Sequence, residues 1–180
     1  MNSIILTGPK HSGKTYAGRV LASLCSCDFI DLDELILQRT GKSPRRLYGE
    51  SQDIFKKAEA EAMANLFKTV NDQRKYRVIA AGGGIIENHE ASGIIKKSGA
   101  TVILLDISVN NAWERIVNCA DGELPPYLRT ENPQETHRVI HEKRTAAYLQ
   151  LANIVINVDG KSPEEIAGEC RLLLVSVPVR

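Results

Sequence analysis

The chain has 180 residues, a formal net charge of +1, 43% hydrophobic and 25% charged residues, which is enough material for one domain (1–180) with its own core. The near-neutral balance gives no electrostatic basis for a nucleic-acid partner or an anionic membrane surface, and no apolar run approaches the length of a bilayer span. Cys25, Cys27, Cys119 and Cys170 form no C-x-x-C and show no zinc spacing with histidine; with no signal-peptide pattern before the first strand, they point to a reducing, cytoplasmic setting.

The first strand is predicted over residues 3–7, around Ile4-Ile5-Leu6. It runs into Gly8-Pro9-Lys10-His11-Ser12-Gly13-Lys14-Thr15, a full match to G-x-x-x-x-G-K-[ST]. A helix-compatible stretch over 14–24 follows directly. Strand, glycine loop and helix in that order are the context in which this motif binds nucleotide phosphates. Backbone N–H groups and the positive end of the helix dipole face the phosphates. Lys14 reaches the β/γ-phosphates, and the Thr15 hydroxyl takes one Mg²⁺ position.

A second strand over 29–32 ends in Asp31-Leu32-Asp33. Side chains two apart on a strand share a face, so both carboxylates are expected at the cleft. One supports Mg²⁺ and the other orients or deprotonates an attacking hydroxyl; the simpler alternative, compatible with that role, is that Asp33 caps a helix over 34–39. Residues 41–72 read as a long, charge-rich helical stretch, with a helix over 54–70 inside it. The third strand, 77–81, runs into Gly82-Gly83-Gly84, which permits either close backbone approach to a ligand or a tight turn. It lacks the terminal Asp that often holds Mg²⁺, which adds weight to Asp31 and Asp33.

Helices over 89–97 and 111–119 flank a fourth strand, 101–106. That strand ends in Asp106 and imitates the metal-binding strand of nucleotide-driven motors. Residues 120–133 carry three prolines and no period, as a lid or an ordinary surface loop would. A helix over 135–151, a strand over 153–158 and a helix from Ser162-Pro163-Glu164-Glu165 complete the chain. The serine cap, first-turn proline and glutamate of that last start are an N-terminal signature. Lys56, Lys57, Arg115, Arg129 and Arg144 are candidate anion-binding residues, and the four histidines show no ligand spacing. Alternating strands and helices imply a parallel sheet covered on both faces, with ligands at the carboxyl ends of the strands.

The phosphate loop, Asp31-Leu32-Asp33-Glu34-Leu35-Ile36, Gln38-Arg39-Thr40-Gly41-Lys42-Ser43, the triple glycine and the Arg144 to Tyr148 segment occur in an order that resembles the shikimate kinases. The resemblance implies a three-layer α/β/α P-loop kinase fold: a five-stranded parallel sheet in the order 2-3-1-4-5, a substrate-binding helical region at about 33–72 and a lid at about 120–133. It implies ATP-dependent phosphorylation of the 3-hydroxyl of shikimate, a step of aromatic amino-acid biosynthesis, by a monomer. Asp33 then matches the residue that binds and deprotonates the accepting hydroxyl, and Asp31 the one supporting Mg²⁺ beside Thr15. Gly8, Lys10, His11, Ser12, Gly13, Lys14, Thr15, Tyr16 and Arg115 fall to the nucleotide, Arg115 matching an arginine that stacks on adenine. Gly82, Gly83, Gly84, Lys56 and Arg144 fall to the substrate.

Three positions depart from the family pattern. Phe55-Lys56-Lys57-Ala58-Glu59 stands where the family has Phe-Arg-x-x-Glu, and lysine keeps the charge but loses the bidentate fork suited to a carboxylate. Ser51-Gln52 replaces the Gly-Glu expected just before it. Pro125-Pro126-Tyr127-Leu128 stands where the lid carries Arg-Pro-Leu-Leu, and proline offers neither cation nor N–H; Arg129 is the nearby cation. These departures leave two other readings open: a kinase of another hydroxy acid or polyol such as gluconate, or a nucleotide-binding protein with weak or lost transfer.

Overall fold

The computed structural model describes residues 3–68, 77–118 and 124–176. Five parallel strands, β1 (Ile4–Thr7), β2 (Asp28–Asp31), β3 (Arg77–Ala80), β4 (Thr101–Asp106) and β5 (Ile154–Asn157), lie in the order β2-β3-β1-β4-β5. This is the expected topology. Alternation along β1 sends Ile4 and Leu6 to one face and Ile5 to the other. Each face therefore has its own core. Ile4, Leu6, Leu21, Ile103, Ile156, Ile166 and Cys170 fill one, and Ile5, Leu32, Ile36, Met63, Ile79 and Leu151 fill the other.

Among the described residues eight helices cover the sheet: α1 (Lys14–Leu24), α2 (Leu32–Thr40), α3 (Pro44–Glu50), α4 (Gln52–Lys68), α5 (His89–Lys97), α6 (Val109–Val117), α7 (Pro133–Leu151) and α8 (Pro163–Ser176). α1 and α5 match the expected bounds. The start of α8 closes a full capping box, with Ser162 N donating to Glu165 Oε2 at 2.7 Å and Glu165 N donating to Ser162 Oγ at 3.2 Å. Two expectations are corrected. The stretch over 41–72 is not one helix, because α3 ends at Ser51, whose extended backbone starts α4 and whose Oγ accepts from Asp53 N and Ile54 N. And β2 stops at Asp31, so Asp33 lies in the first turn of α2 rather than on the strand face. Residues 69–72, Cys119 and the lid segment 120–123 lie outside the described residues.

No helix among the described residues is long and apolar enough to cross a membrane.

Candidate active site

The carboxyl ends of β1, β2 and β3 open into one cavity of about 920 Å³, lined among others by Lys10, His11, Gly13, Lys14, Thr15, Tyr16, Asp31, Asp33, Lys56, Gly82, Gly83, Gly84 and Arg144. Among the described residues its carboxylates are Asp31, Asp33, Glu59 and Glu87. Asp106, at the end of β4, does not line it, so the metal-strand imitation leads nowhere.

The loop after β1 is shaped by positive-φ residues: Gly8 (φ 142), His11 (φ 62) and Gly13 (φ 91). At Gly8 a Cβ would sit 2.5 Å from the Leu105 carbonyl oxygen, so glycine is required there by space as well as by backbone conformation. The loop curls around Lys14, whose Nζ donates to Gly8 O at 2.9 Å and Pro9 O at 2.6 Å and lies 3.3 Å from Ser12 Oγ. Desolvation lowers the Lys14 ammonium from 10.5 to about 8, with Lys10 adding to the fall and Asp33 and Asp31 opposing it. Gly8 and Ser12 shape the loop from behind without lining the cavity. Arg115, on α6, also stands outside the cavity, where its Nη1 donates to the His11 carbonyl at 3.0 Å.

Asp31 divides its two oxygens. Oδ1 accepts from Asp33 N at 2.9 Å and from Glu34 N at 3.4 Å, capping α2, while Oδ2 accepts from the Thr15 hydroxyl at 2.8 Å. The cap expected of Asp33 is therefore supplied by Asp31. This frees the Asp33 carboxylate to face the cavity, where enclosure by its walls and the neighbouring Asp31 push its pKa up against the pull of Lys14 and Lys10.

Across from Asp33 the triple glycine turns out of β3. A Cβ on Gly83 would lie 3.1 Å from Lys10 N, so the turn touches the phosphate loop backbone to backbone. The Gly83 carbonyl in turn accepts from the hydroxyl of the buried Tyr148. The glycines thus form a tight turn, closed by Ile85 N donating to Gly82 O at 3.1 Å, and the close approach seen here is to the phosphate loop.

Glu59, on α4, is a site residue that the sequence reading passes over, although it closes the Phe55 to Glu59 segment. It is 1% exposed; Oε2 accepts from Asn88 Nδ2 at 2.9 Å, and Oε1 is buried without a hydrogen-bond partner among the described residues. That orphan oxygen would lie 3.1 Å from a Cβ on Gly82, with Asp33 Oδ1 on the same side at 3.4 Å. Desolvation raises the Glu59 carboxyl from 4.5 to about 7, with Asn88 opposing and Asp33 adding. Because the folded chain holds this proton and the unfolded chain does not, stability should fall as pH rises from 4.5 to 7. Glu59→Gln should flatten that fall, leaving the variant more stable at pH 8 by up to about 3 kcal/mol. Urea unfolding at pH 5 and pH 8 reads this directly, and parallel curves for the two chains would refute it.

Lys56, Lys143 and Arg144 line the cavity together with Glu87, Tyr48, Phe55 and Tyr127. Glu87, Tyr48, Tyr127 and Lys143 carry no motif signal, which is why the sequence alone misses them. Lys57 faces solvent on α4, and Arg129 caps the short turn Pro126–Leu128 on the outside.

With this geometry in place, comparison with known proteins is decisive. The family profile "Shikimate kinase" matches residues 10–174. The chain belongs to the shikimate kinase family. A shikimate kinase of Streptococcus gordonii is 33% identical over 172 residues, covering 95% of this chain and 99% of that one. The shikimate kinase structure from Acinetobacter baumannii in complex with shikimate is similar over all of this chain and 96% of its own, with TM-score 0.86 and 26% identity. A gluconokinase from Sinorhizobium meliloti shares the fold, with TM-score 0.60 at 16% identity. Against the shikimate kinase matches, that likeness is of fold alone and does not favour the gluconate alternative.

Proposed function

We propose that this chain transfers the γ-phosphoryl group of ATP to the 3-hydroxyl of shikimate. As a shikimate kinase family member it is a phosphotransferase acting on an alcohol group and using ATP. The observation that carries the specific reading is the meeting, around one cavity, of the phosphate loop with Lys14, the cavity-facing Asp33 and the cationic wall of Lys56, Lys143 and Arg144.

Each group has a task in that reading. The loop N–H groups and Lys14 hold the phosphates and offset charge on the transferring group. Asp33 accepts the proton as the hydroxyl oxygen bonds to the γ-phosphorus and the bond to the ADP oxygen breaks; its raised pKa makes it a better base. Arg144 and Lys56 receive the acceptor carboxylate, and the Gly82–Gly84 turn shapes the floor. Arg115, held to the phosphate loop by its bond to the His11 carbonyl, takes the face of the adenine. Thr15 and Asp31 fit Mg²⁺: they are hard oxygen donors 2.8 Å apart, two being enough for an ion that keeps water and phosphate oxygens as its other ligands. Bound there, the ion would neutralise charge on the β- and γ-phosphates.

The same reading makes the enzyme a cytoplasmic monomer of aromatic amino-acid biosynthesis. The free thiols of Cys25, Cys27 and Cys170 suit a reducing compartment.

ADP release from ATP·Mg²⁺ with and without shikimate tests the proposal. Shikimate-dependent release supports it, and its absence with ATP still bound would reject shikimate as the acceptor. Within this reading, Lys56→Arg should lower the KM for shikimate by about threefold to tenfold, because the guanidinium grips a carboxylate with two parallel bonds. A KM that stays put would leave the carboxylate to Arg144 and Lys143.

A further inference from the structure

Arg144 already holds a carboxylate of its own chain. Its Nη2 donates to Glu87 Oε2 at 2.6 Å, the Tyr127 ring lies 5.2 Å from its Cζ, and its Nε is buried with no hydrogen-bond partner among the described residues. Glu87 sits in the short turn Ile85–Glu87, directly after the triple glycine. That turn brings the carboxylate into the cavity on the wall shared with Lys56, Lys143 and Arg144. Burial acts to raise the Glu87 carboxyl, but the bond from Arg144 and the charges of Arg144, Lys143 and Lys56 outweigh it and hold the group below its ordinary range. Three cations thus surround one internal carboxylate at the place where the acceptor's carboxylate is received.

We propose that Glu87 sets acceptor specificity by occupying Arg144 as an internal competitor for the acceptor's carboxylate. The inference rests on the shikimate reading of the site. Two carboxylates on one guanidinium repel at contact distance, so an anionic acceptor must displace Glu87 or share Arg144 against that repulsion. An uncharged acceptor carries no such penalty. Glu87 therefore acts through Arg144 and is a positioning and specificity residue, not a catalytic one. It also explains how Arg144, its side chain only 16% exposed, keeps its charge balanced before the acceptor arrives.

The test is calorimetric titration of the chain loaded with ADP·Mg²⁺, using shikimate and its methyl ester, which keeps the hydroxyls and loses the charge. For Glu87→Gln, the Kd of shikimate should tighten by about tenfold, equal to ~1.4 kcal/mol, while the ester moves by less than about twofold. Glu87→Asp keeps the charge and should stay close to the unmodified chain. Weaker or unchanged shikimate binding in Glu87→Gln, or equal shifts for acid and ester, would overturn the proposal by assigning Glu87 a merely structural role. Failure of the acceptor reading looks different: the unmodified chain then gives no shikimate-dependent ADP release, and both inferences fall together. An active unmodified enzyme whose Glu87→Gln variant binds shikimate no better overturns this one alone.

Discussion

Asp33→Asn should lower shikimate-dependent ADP release by about 10²- to 10⁴-fold, the range that a positioned general base contributes, while the Kd for ATP holds. The structure says why the loss should be confined to transfer. Asp33 is not the cap of α2; Asp31 is, through its Oδ1, so the helix start survives the substitution. The cost of removing one first-turn anion from the helix dipole is a few tenths of a kcal/mol. Against it stands relief: enclosure and Asp31 both disfavour the Asp33 charge. A folded pKa above the unfolded one means stability that is lost as pH rises through it, so at neutral pH the asparagine variant should melt no lower than the unmodified chain. Catalysis and stability should therefore separate in this variant. A rate within tenfold of the unmodified chain would remove Asp33 from the role of base.

Lys14→Met should have the second large effect, lowering transfer by about 10²- to 10³-fold, the cost typical of removing one preorganised donor from a developing anion. Methionine keeps the length and loses the cation, so the three contacts to Gly8, Pro9 and Ser12 go with it. The unmodified chain offers an independent check. Its Lys14 is pushed down to about 8 by desolvation, yet phosphates favour the charged form. Above pH 8, ATP binding must then be accompanied by proton uptake, and affinity should fall by about tenfold per pH unit. The stability of the nucleotide-free chain should move the other way. Its folded pKa is depressed below 10.5, so between pH 8 and 10.5 the unfolded chain binds more protons and the fold gains with rising pH. Calorimetric ATP titrations at pH 7, 8 and 9 decide the matter. A flat affinity profile, or a methionine variant with normal transfer, would count against the assigned role.

Both layers of helices and the phosphate-loop side of the cavity were legible because they rest on local signals: apolar runs, a loop motif, caps; the sheet order came only with the resemblance to a family. Where reading failed, the missing information was not local. Ser43-Pro44 starts α3 by the same serine cap and first-turn proline that were recognised at Ser162-Pro163, with Ser43 Oγ accepting from Arg46 N at 3.3 Å. The charged residues on either side mask it, because they read as one continuous helix. Asp31 and Asp33 were placed correctly at the cavity for a partly wrong reason, since the strand ends between them. Glu59 shows in the sequence only as the last residue of the Phe55 to Glu59 segment, and Glu87 not at all. One owes its chemistry to burial beside Asn88, the other to an arginine 57 residues away in the chain, and neither distance is visible in a linear sequence.

The contact between Gly83 and Lys10 N, with Tyr148 bracing the Gly83 carbonyl, joins three segments largely through main-chain atoms. Side-chain substitution can do little to that junction short of breaking it. Lys56, Glu87 and Tyr127 are different: they reach the cavity through side chains, from a helix face and from the two short turns Ile85–Glu87 and Pro126–Leu128. The protein is thus divided into a part that evolution must keep and a part it can revise one residue at a time. A lineage under pressure to accept a new alcohol would find its variation in those three positions, with the phosphate-transfer apparatus carried along unchanged.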